Sequence, residues 1–422
     1  MSYTRVMVAG VAVSSAVLLV PVRVFARAGG GGSSSGGGGG FGGGGSGSSG
    51  GGDLFLLAVY LIIFIGVVVG AYVAQRRHRQ RVALAKAALQ QAAQTDAAWN
   101  EDALRARIAE VFTRFQEAWG TLDVTALAPL LTEPFRKRMV LELAVLKAEG
   151  RRNILEQPRI LAMEFLQVTD ASGSQEDRVL VRLHAQAKDT LRDVVRNVDL
   201  FTDSDAFVEY WTLAREDGSW QLDRIQQATE APSLRERTIQ AFSDRHGFYY
   251  DPDFGWLMMP NRGVLFRRSN FRTSDINNHV IGYYRERVVE LFTYIPRPDR
   301  RRRTERGWVV AQAILPKRYV DILVEHRRWW HAILPRRGFQ RIALGNVDLD
   351  RKFSVWASPL DQANTFELLT PTFLERIHAL PFPVTIEVVD HFLYLATHHR
   401  SSPKQYEEMW EVLSWAFDEL ER

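Results

Sequence analysis

Between Leu54 and Ala74 the chain is uninterruptedly apolar and carries no charge. Wound as a helix, this stretch rises roughly 31 Å, the thickness of a hydrocarbon core. A core helix seldom stays apolar on every face for so long. The stretch therefore predicts one transmembrane helix over residues 54–74. Arg76, Arg77, Arg79 and Arg81 follow at once, whereas the other flank holds only Asp53 and glycine. This arginine bias puts the C-terminal side in the cytoplasm, facing anionic headgroups.

What precedes the span agrees with that orientation. Arg5, an apolar run from Val6 to Val20, Pro21 and the small-residue site Ala26-Arg27-Ala28 are laid out as a signal peptide over residues 1–28. An uncleaved anchor helix is the alternative and gives the same topology. Residues 29–53 form a Gly/Ser-rich linker broken by Phe41, a segment that cannot bury apolar surface. Its Gly47-Ser48-Ser49-Gly50-Gly51 spells a nucleophile-elbow motif without the strand and helix that give the motif meaning. The chain contains no cysteine, which excludes disulfides, thiolate metal sites and cysteine nucleophiles. Its net charge of +4 is modest for 422 residues, and nothing in it points to nucleic acid.

Residues 75–97 read as a basic juxtamembrane helix, and residues 98–230 as an α+β domain. Asn100 caps a helix whose apolar face is Leu104, Ile108, Val111, Phe112, Phe115 and Trp119. Another helix opens at Thr132, with Pro134 in its first turn, and ends near Gly150. The period then changes to alternation, predicting strands at Ile160–Val168, Arg178–Lys188, Val194–Leu200, Phe207–Arg215 and Trp220–Ile225. Asp217-Gly218 joins the last two as a hairpin turn. Helices followed by an antiparallel meander imply helices covering one face of a curved sheet.

The succession Phe112, Phe115, Ala118-Trp119 and Asp123, then Leu130-Leu131 and Pro134-Phe135, closes with Val208-Glu209-Tyr210-Trp211-Thr212-Leu213 and Asp217-Gly218-Ser219-Trp220-Gln221-Leu222. It resembles the Tim-forty-four (Tim44) type, the C-terminal domain of the mitochondrial import-motor anchor and its bacterial relatives, within the nuclear-transport-factor-two-like cone folds. The resemblance covers residues 98–228. It implies a domain that holds partners or lipid at a membrane, without chemistry. Cone folds sometimes carry an acid/base dyad in their pocket, and the pocket candidates here are Glu164 and Glu209. Glu164 alternates with Ile160, Ala162, Leu166 and Val168, and Glu209 lies with Phe207, Trp211 and Leu213. His184 shares a strand face with Arg182, Gln186 and Lys188, which reads as a solvated face. No third group stands ready to orient a base.

Residues 231–422 read as a second α+β domain. A helix at Leu234–Arg245 is followed by strand-like runs at Gly263–Phe266, Val280–Tyr294, Trp308–Leu315, Ile342–Leu349 and Phe353–Ala357. A helix at Pro371–Leu380, a strand at Val384–Ala396 and a helix at Pro403–Leu420 complete it. The basic loop carrying Arg300, Arg301, Arg302 and Arg303 is a second candidate for anionic headgroups, and His326-Arg327-Arg328-Trp329-Trp330-His331 mixes arginine with tryptophan. No metal or cofactor site can be read. Asp390-His391 and His398-His399 are neighbours that a strand points to opposite faces, and Asp251-Pro252-Asp253 has Arg262 where a calcium loop needs glutamate. The expectation is a single-pass inner-membrane protein of bacterial type, with its domains in the cytoplasm, serving as a non-enzymatic scaffold or receptor. The alternatives are a lipid- or small-ligand-binding cone pocket and an enzyme using a pocket carboxylate.

Overall fold

The computed structural model describes residues 52–171, 176–226, 234–252, 256–258, 260, 262–266, 276–295, 307–327, 339–357, 369–398 and 403–420. The side chains of residues 52–60, 63, 234–236, 256, 320 and 403 fall outside that set. The signal peptide, the linker up to residue 51, Arg300–Arg303 and Trp329-Trp330 lie outside the described residues.

The chain is a mixed α+β protein with two antiparallel sheets. Helix α1 (Gly52–Ala92) runs unbroken through the apolar stretch and the basic stem. A 3-10 turn at Ala97–Trp99 leads to α2 (Glu101–Thr121), whose cap Asn100 accepts a hydrogen bond from the Ala103 amide at 3.0 Å. Leu122 ends α2 in the left-handed conformation at φ 58°. A short α3 (Val124–Leu127) precedes α4 (Glu133–Ala148). Thr132 does not cap α4 with its side chain; its hydroxyl donates instead to Asp223 at 2.9 Å.

The first sheet has the order β1 (Arg151–Thr169), β2 (Arg178–Asp193), β4 (Phe207–Glu216), β5 (Ser219–Gln226), with β3 (Val198–Asp203) paired to β2. The β4–β5 turn is made by Asp217 and Gly218, both at positive φ, as the sequence predicts. β1 begins earlier than its alternation suggests, and residues 194–197 form a turn rather than a strand. Val179, Val181, Leu183 and Ala185 are buried against α2 and α4, while His184 is half-buried on the other face.

The second half begins with α5 (Leu234–His246). Its sheet has the order β10 (Gln340–Ile342), β11 (Phe353–Ala357), β9 (Trp308–His326), β8 (Arg287–Tyr294), β7 (Ile276–Tyr284), β6 (Tyr249–Asp251), and β12 (Thr385–His398) pairs with β9. Three expectations differ. Residues 263–266 are turns; residues 342–349 lead into helix α6 (Val347–Lys352); and Val280–Tyr294 is two strands. The reversal in that last run uses Arg285 and Glu286, both at positive φ, without the glycine or asparagine that marks such turns. Helices α7 (Pro371–Ala379) and α8 (Pro403–Leu420) complete the fold with α5 on one face of this sheet.

The other face of the second sheet meets α4. Phe135, Met139, Leu141, Leu143, Val145 and Leu146 bury α4 on nearly every side, against the first sheet on one flank and Ile281, Val288 and Phe292 on the other. Sheet, helices, sheet and helices therefore stack in four layers, and one apolar core crosses residue 230 without interruption.

Candidate functional site

On the upper part of α1 the described large apolar side chains are exposed. Leu61, Ile62, Phe64, Ile65 and Val67–Val69 are exposed, Ile62 at 69%. Monomers seldom leave so much contiguous apolar surface in water. Among the described residues no helix is long and apolar enough to cross a membrane. Arg76, Arg77, Arg79 and Arg81 are exposed on the same helix, directly below the apolar residues.

The lower part is docked. Ala85, Leu89 and Ala92 are buried in the core of the first half, so small side chains let α1 lie close along β1. Polar clamps stand at both ends. At the upper end Glu164 meets His78 Nε2 at 3.2 Å and accepts from Arg182 Nη1 at 2.8 Å. At the lower end Arg215 joins Asp96 to Asp177. Asp96 is held below the usual carboxylate range, first by the Ala98 amide and then by Arg215. Beside this clamp the rings of Trp99 and Trp220 meet edge-on at 4.7 Å, and Trp220 Nε1 donates to the Ala98 carbonyl at 3.1 Å.

The two candidate carboxylates are thus on opposite faces of the first sheet. Glu164 pairs across the strands with Arg182, whereas Glu209 pairs with Leu183, and neighbouring residues of a strand point oppositely. Simple alternation misplaces Glu164 because β1 has register shifts at Ile160/Ala162 and Phe165/Gln167. Glu209 is fully buried and accepts from Trp211 Nε1 at 2.9 Å. At the far end of the same interior, Trp119 Nε1 donates to Asn153 at 3.1 Å, and Asn153 donates on to Asp189, all three buried. Glu164 and Glu209 therefore do not face each other across one pocket. Among the described residues no three metal-type side chains come together.

Sequence reasoning missed a polar seam between the halves. Arg138 of α4 bonds Glu142 at 2.8 Å and Asp251 at 2.6 Å. Burial disfavours its charge, but those two carboxylates more than restore it. Arg262 reaches from the second half to Glu149 at 3.2 Å and Asp390 at 2.7 Å. Arg151, buried against Glu149, donates to the Leu257 carbonyl at 3.2 Å. On the second sheet His279 Nε2 lies 2.9 Å from Glu290, whose other oxygen accepts from Gln312 at 2.7 Å. Burial pushes Glu290 up to about 8 and His279 down to about 4. Both shifts favour the neutral pair, in which the Glu290 carboxyl proton is donated to His279. A trace was present in the sequence, since Glu290 sits between Val289 and Leu291, and Gln312 between Ala311 and Ala313.

Comparison with known proteins follows the same division of the chain. The family model of the Tim44-like domain matches residues 85–227. No curated protein matches the chain. Among solved structures, the mycobacterial trehalose monomycolate transport factor A, TtfA, is 18% identical, with 45% of this chain and 96% of that one covered, at a TM-score of 0.32. The intermembrane-space region of the chloroplast protein ARC6 is 14% identical, with 28% and 92% covered, at a TM-score of 0.23. Likenesses at these scores carry no argument about function. The family match begins at Ala85, where the stem docks, and ends with β5: residues 85–227 of this chain are a Tim44-like domain.

Proposed function

We propose that the chain is a membrane-anchored scaffold or receptor, which docks proteins or lipid at the cytoplasmic face of a bacterial inner membrane in membrane-protein assembly or transport. Residues 54–74 are the span, and Arg76, Arg77, Arg79 and Arg81 its cytoplasmic headgroup contacts. The observation that carries the reading is that one continuous helix leaves Leu61, Ile62, Phe64, Ile65 and Val67–Val69 exposed and is packed into the Tim44-like domain from Ala85. Such a helix holds a folded body at a fixed distance from the bilayer, as a docking platform requires. The non-enzymatic part of the proposal rests on Glu164 and Glu209 lying on opposite sheet faces.

Reporters fused after Arg422 test the topology. One active only in the cytoplasm should be active, and one active only outside it silent; the reverse pattern would sink the orientation. Replacing the four arginines with glutamine should make the two reporters respond together, as orientation becomes mixed.

A further inference from the structure

A row of polar side chains crosses the face of the second sheet that meets α4. Glu290 of β8 stands opposite Gln312 of β9, and Gln312 stands opposite Tyr394 of β12. Their chain neighbours Val289, Leu291, Ala311, Ala313, Leu393 and Leu395 belong to the core on the other face. From the first half the row is approached by Glu149, which caps the C-terminal end of α4. Its charge, added to burial, pushes the Tyr394 hydroxyl and the Glu290 carboxyl up, so both keep their protons at neutral pH. Glu149, Glu290, Gln312 and Tyr394 are each only 1–2% exposed.

Three polar atoms are left over here once the hydrogen bonds among the described residues are assigned. Glu149 accepts from Arg262 Nε through Oε2 at 3.2 Å, and its Oε1 has no partner. Gln312 donates from Nε2 to Glu290 at 2.7 Å, and its Oε1 has no partner. Tyr394 Oη has none either. Packing alone would not call for a hydroxyl at position 394, since Phe266 and Phe392 fill the same aromatic cluster with plain rings. Buried polar groups almost always find a partner in protein or in ordered water. The leftover set is one donor, the Tyr394 hydroxyl, and two acceptors. Water supplies the complement, two protons to give and an oxygen to receive, and an internal water typically makes about three hydrogen bonds. A monovalent cation would also suit three oxygens, but Arg262 and Arg151 lie against Glu149 and repel it.

We propose that an internal water molecule is bound between the two halves, donating to Glu149 Oε1 and Gln312 Oε1 and accepting from the Tyr394 hydroxyl. It ties the end of α4 in the Tim44-like domain to β9 and β12 in the second half. The inference does not depend on α1 being a span.

A crystal structure of the full chain in detergent, at a resolution that shows other internal waters, tests the site. One peak should lie within hydrogen-bond distance of all three atoms, about 2.7–3.2 Å. Soaking in rubidium should add no anomalous signal there. An anomalous peak would make the occupant a cation and overturn the proposal. So would a direct bond from Tyr394 Oη to Glu149 with no peak between them. In solution, Tyr394→Phe keeps the ring and removes the hydroxyl, and should lower the urea midpoint of the full chain. In a Gln312→Met background, where the water has already lost one acceptor, the same change should lower it by less than half as much. Equal shifts in the two backgrounds, or no shift in either, would also overturn the bridge.

Discussion

Trp119 and Glu290 show two ways in which a buried side chain is held here. Trp119 fills the apolar face of α2 and spends its one donor on Asn153. Trp119→Ala should cost about 3–5 kcal/mol in urea unfolding, the range for a large buried aromatic. Trp119→Phe keeps most of the volume but leaves Asn153 without its donor, and should cost about 1–3 kcal/mol. Equal losses in the two would refute the packing argument. Glu290 and His279 make stability depend on pH in opposite directions. Glu290 is raised from 4.5, so its contribution is full below pH 4.5 and is lost as pH rises to about 8. His279 is lowered from 6.5, so its contribution is full above pH 6.5 and is lost as pH falls to about 4. Between 4.5 and 6.5 the two slopes oppose, which predicts a plateau, with losses on the order of 1 kcal/mol per pH unit from 6.5 to 8. The groups facing the pair from α4, its C-terminal end and β6 are Arg138, Glu142, Glu149 and Asp251: for His279 burial outweighs the pull of Glu142 and Asp251, and for Glu290 burial is reinforced by Glu149. Glu290→Gln should flatten the alkaline limb; a limb that persists would place the titration elsewhere.

Helix α1 is docked mainly by small side chains, which leaves Leu89 as its largest buried anchor. Leu89→Ala should cost about 2–5 kcal/mol of docking free energy. Proteolysis between Arg76 and Lys86 should then speed up while α2 and the strands stay protected. Equal protection in the variant would mean that the clamps at Glu164 and Arg215 suffice. Elements like α2, α5 and α8 were legible because their apolar residues recur at helical spacing and their partners lie on one side. The β4–β5 turn was legible because Asp217-Gly218 names its own geometry. Three kinds of element were not legible. β1 carries register shifts, and each shift exchanges the faces, so alternation placed Glu164 inside when it faces α1. The β7–β8 turn reverses on Arg285 and Glu286, whose positive φ no composition rule signals. Helix α4 is apolar from Met139 to Leu146 but for Glu142, a pattern of burial on two sides that only the second sheet explains.

Because one core crosses residue 230, the two halves should unfold together. Full-length chain in detergent should show one cooperative transition, with coincident midpoints by tryptophan fluorescence and by circular dichroism. A chain cut after Gln226 would bare the outer flank of α4 around Met139 and leave Arg138 without Asp251. It should melt lower and bind a hydrophobic dye that the full chain ignores. An unchanged melting point would make the seam incidental. The unbroken helix from Gly52 to Ala92 has a consequence of a different sort, a matter of phase. A rigid helix turns by about 100° and advances about 1.5 Å for each residue added to it. On the proposed span, one alanine inserted after Ala74 would swing everything below it through about a quarter-turn about the bilayer normal. Seven would bring it back to within about 20° of where it began, one heptad's drift, though lower by two turns. The orientation of the Tim44-like domain relative to the span, measured across a series of insertions, should therefore turn with the helical period, whereas a flexible tether would register nothing but length.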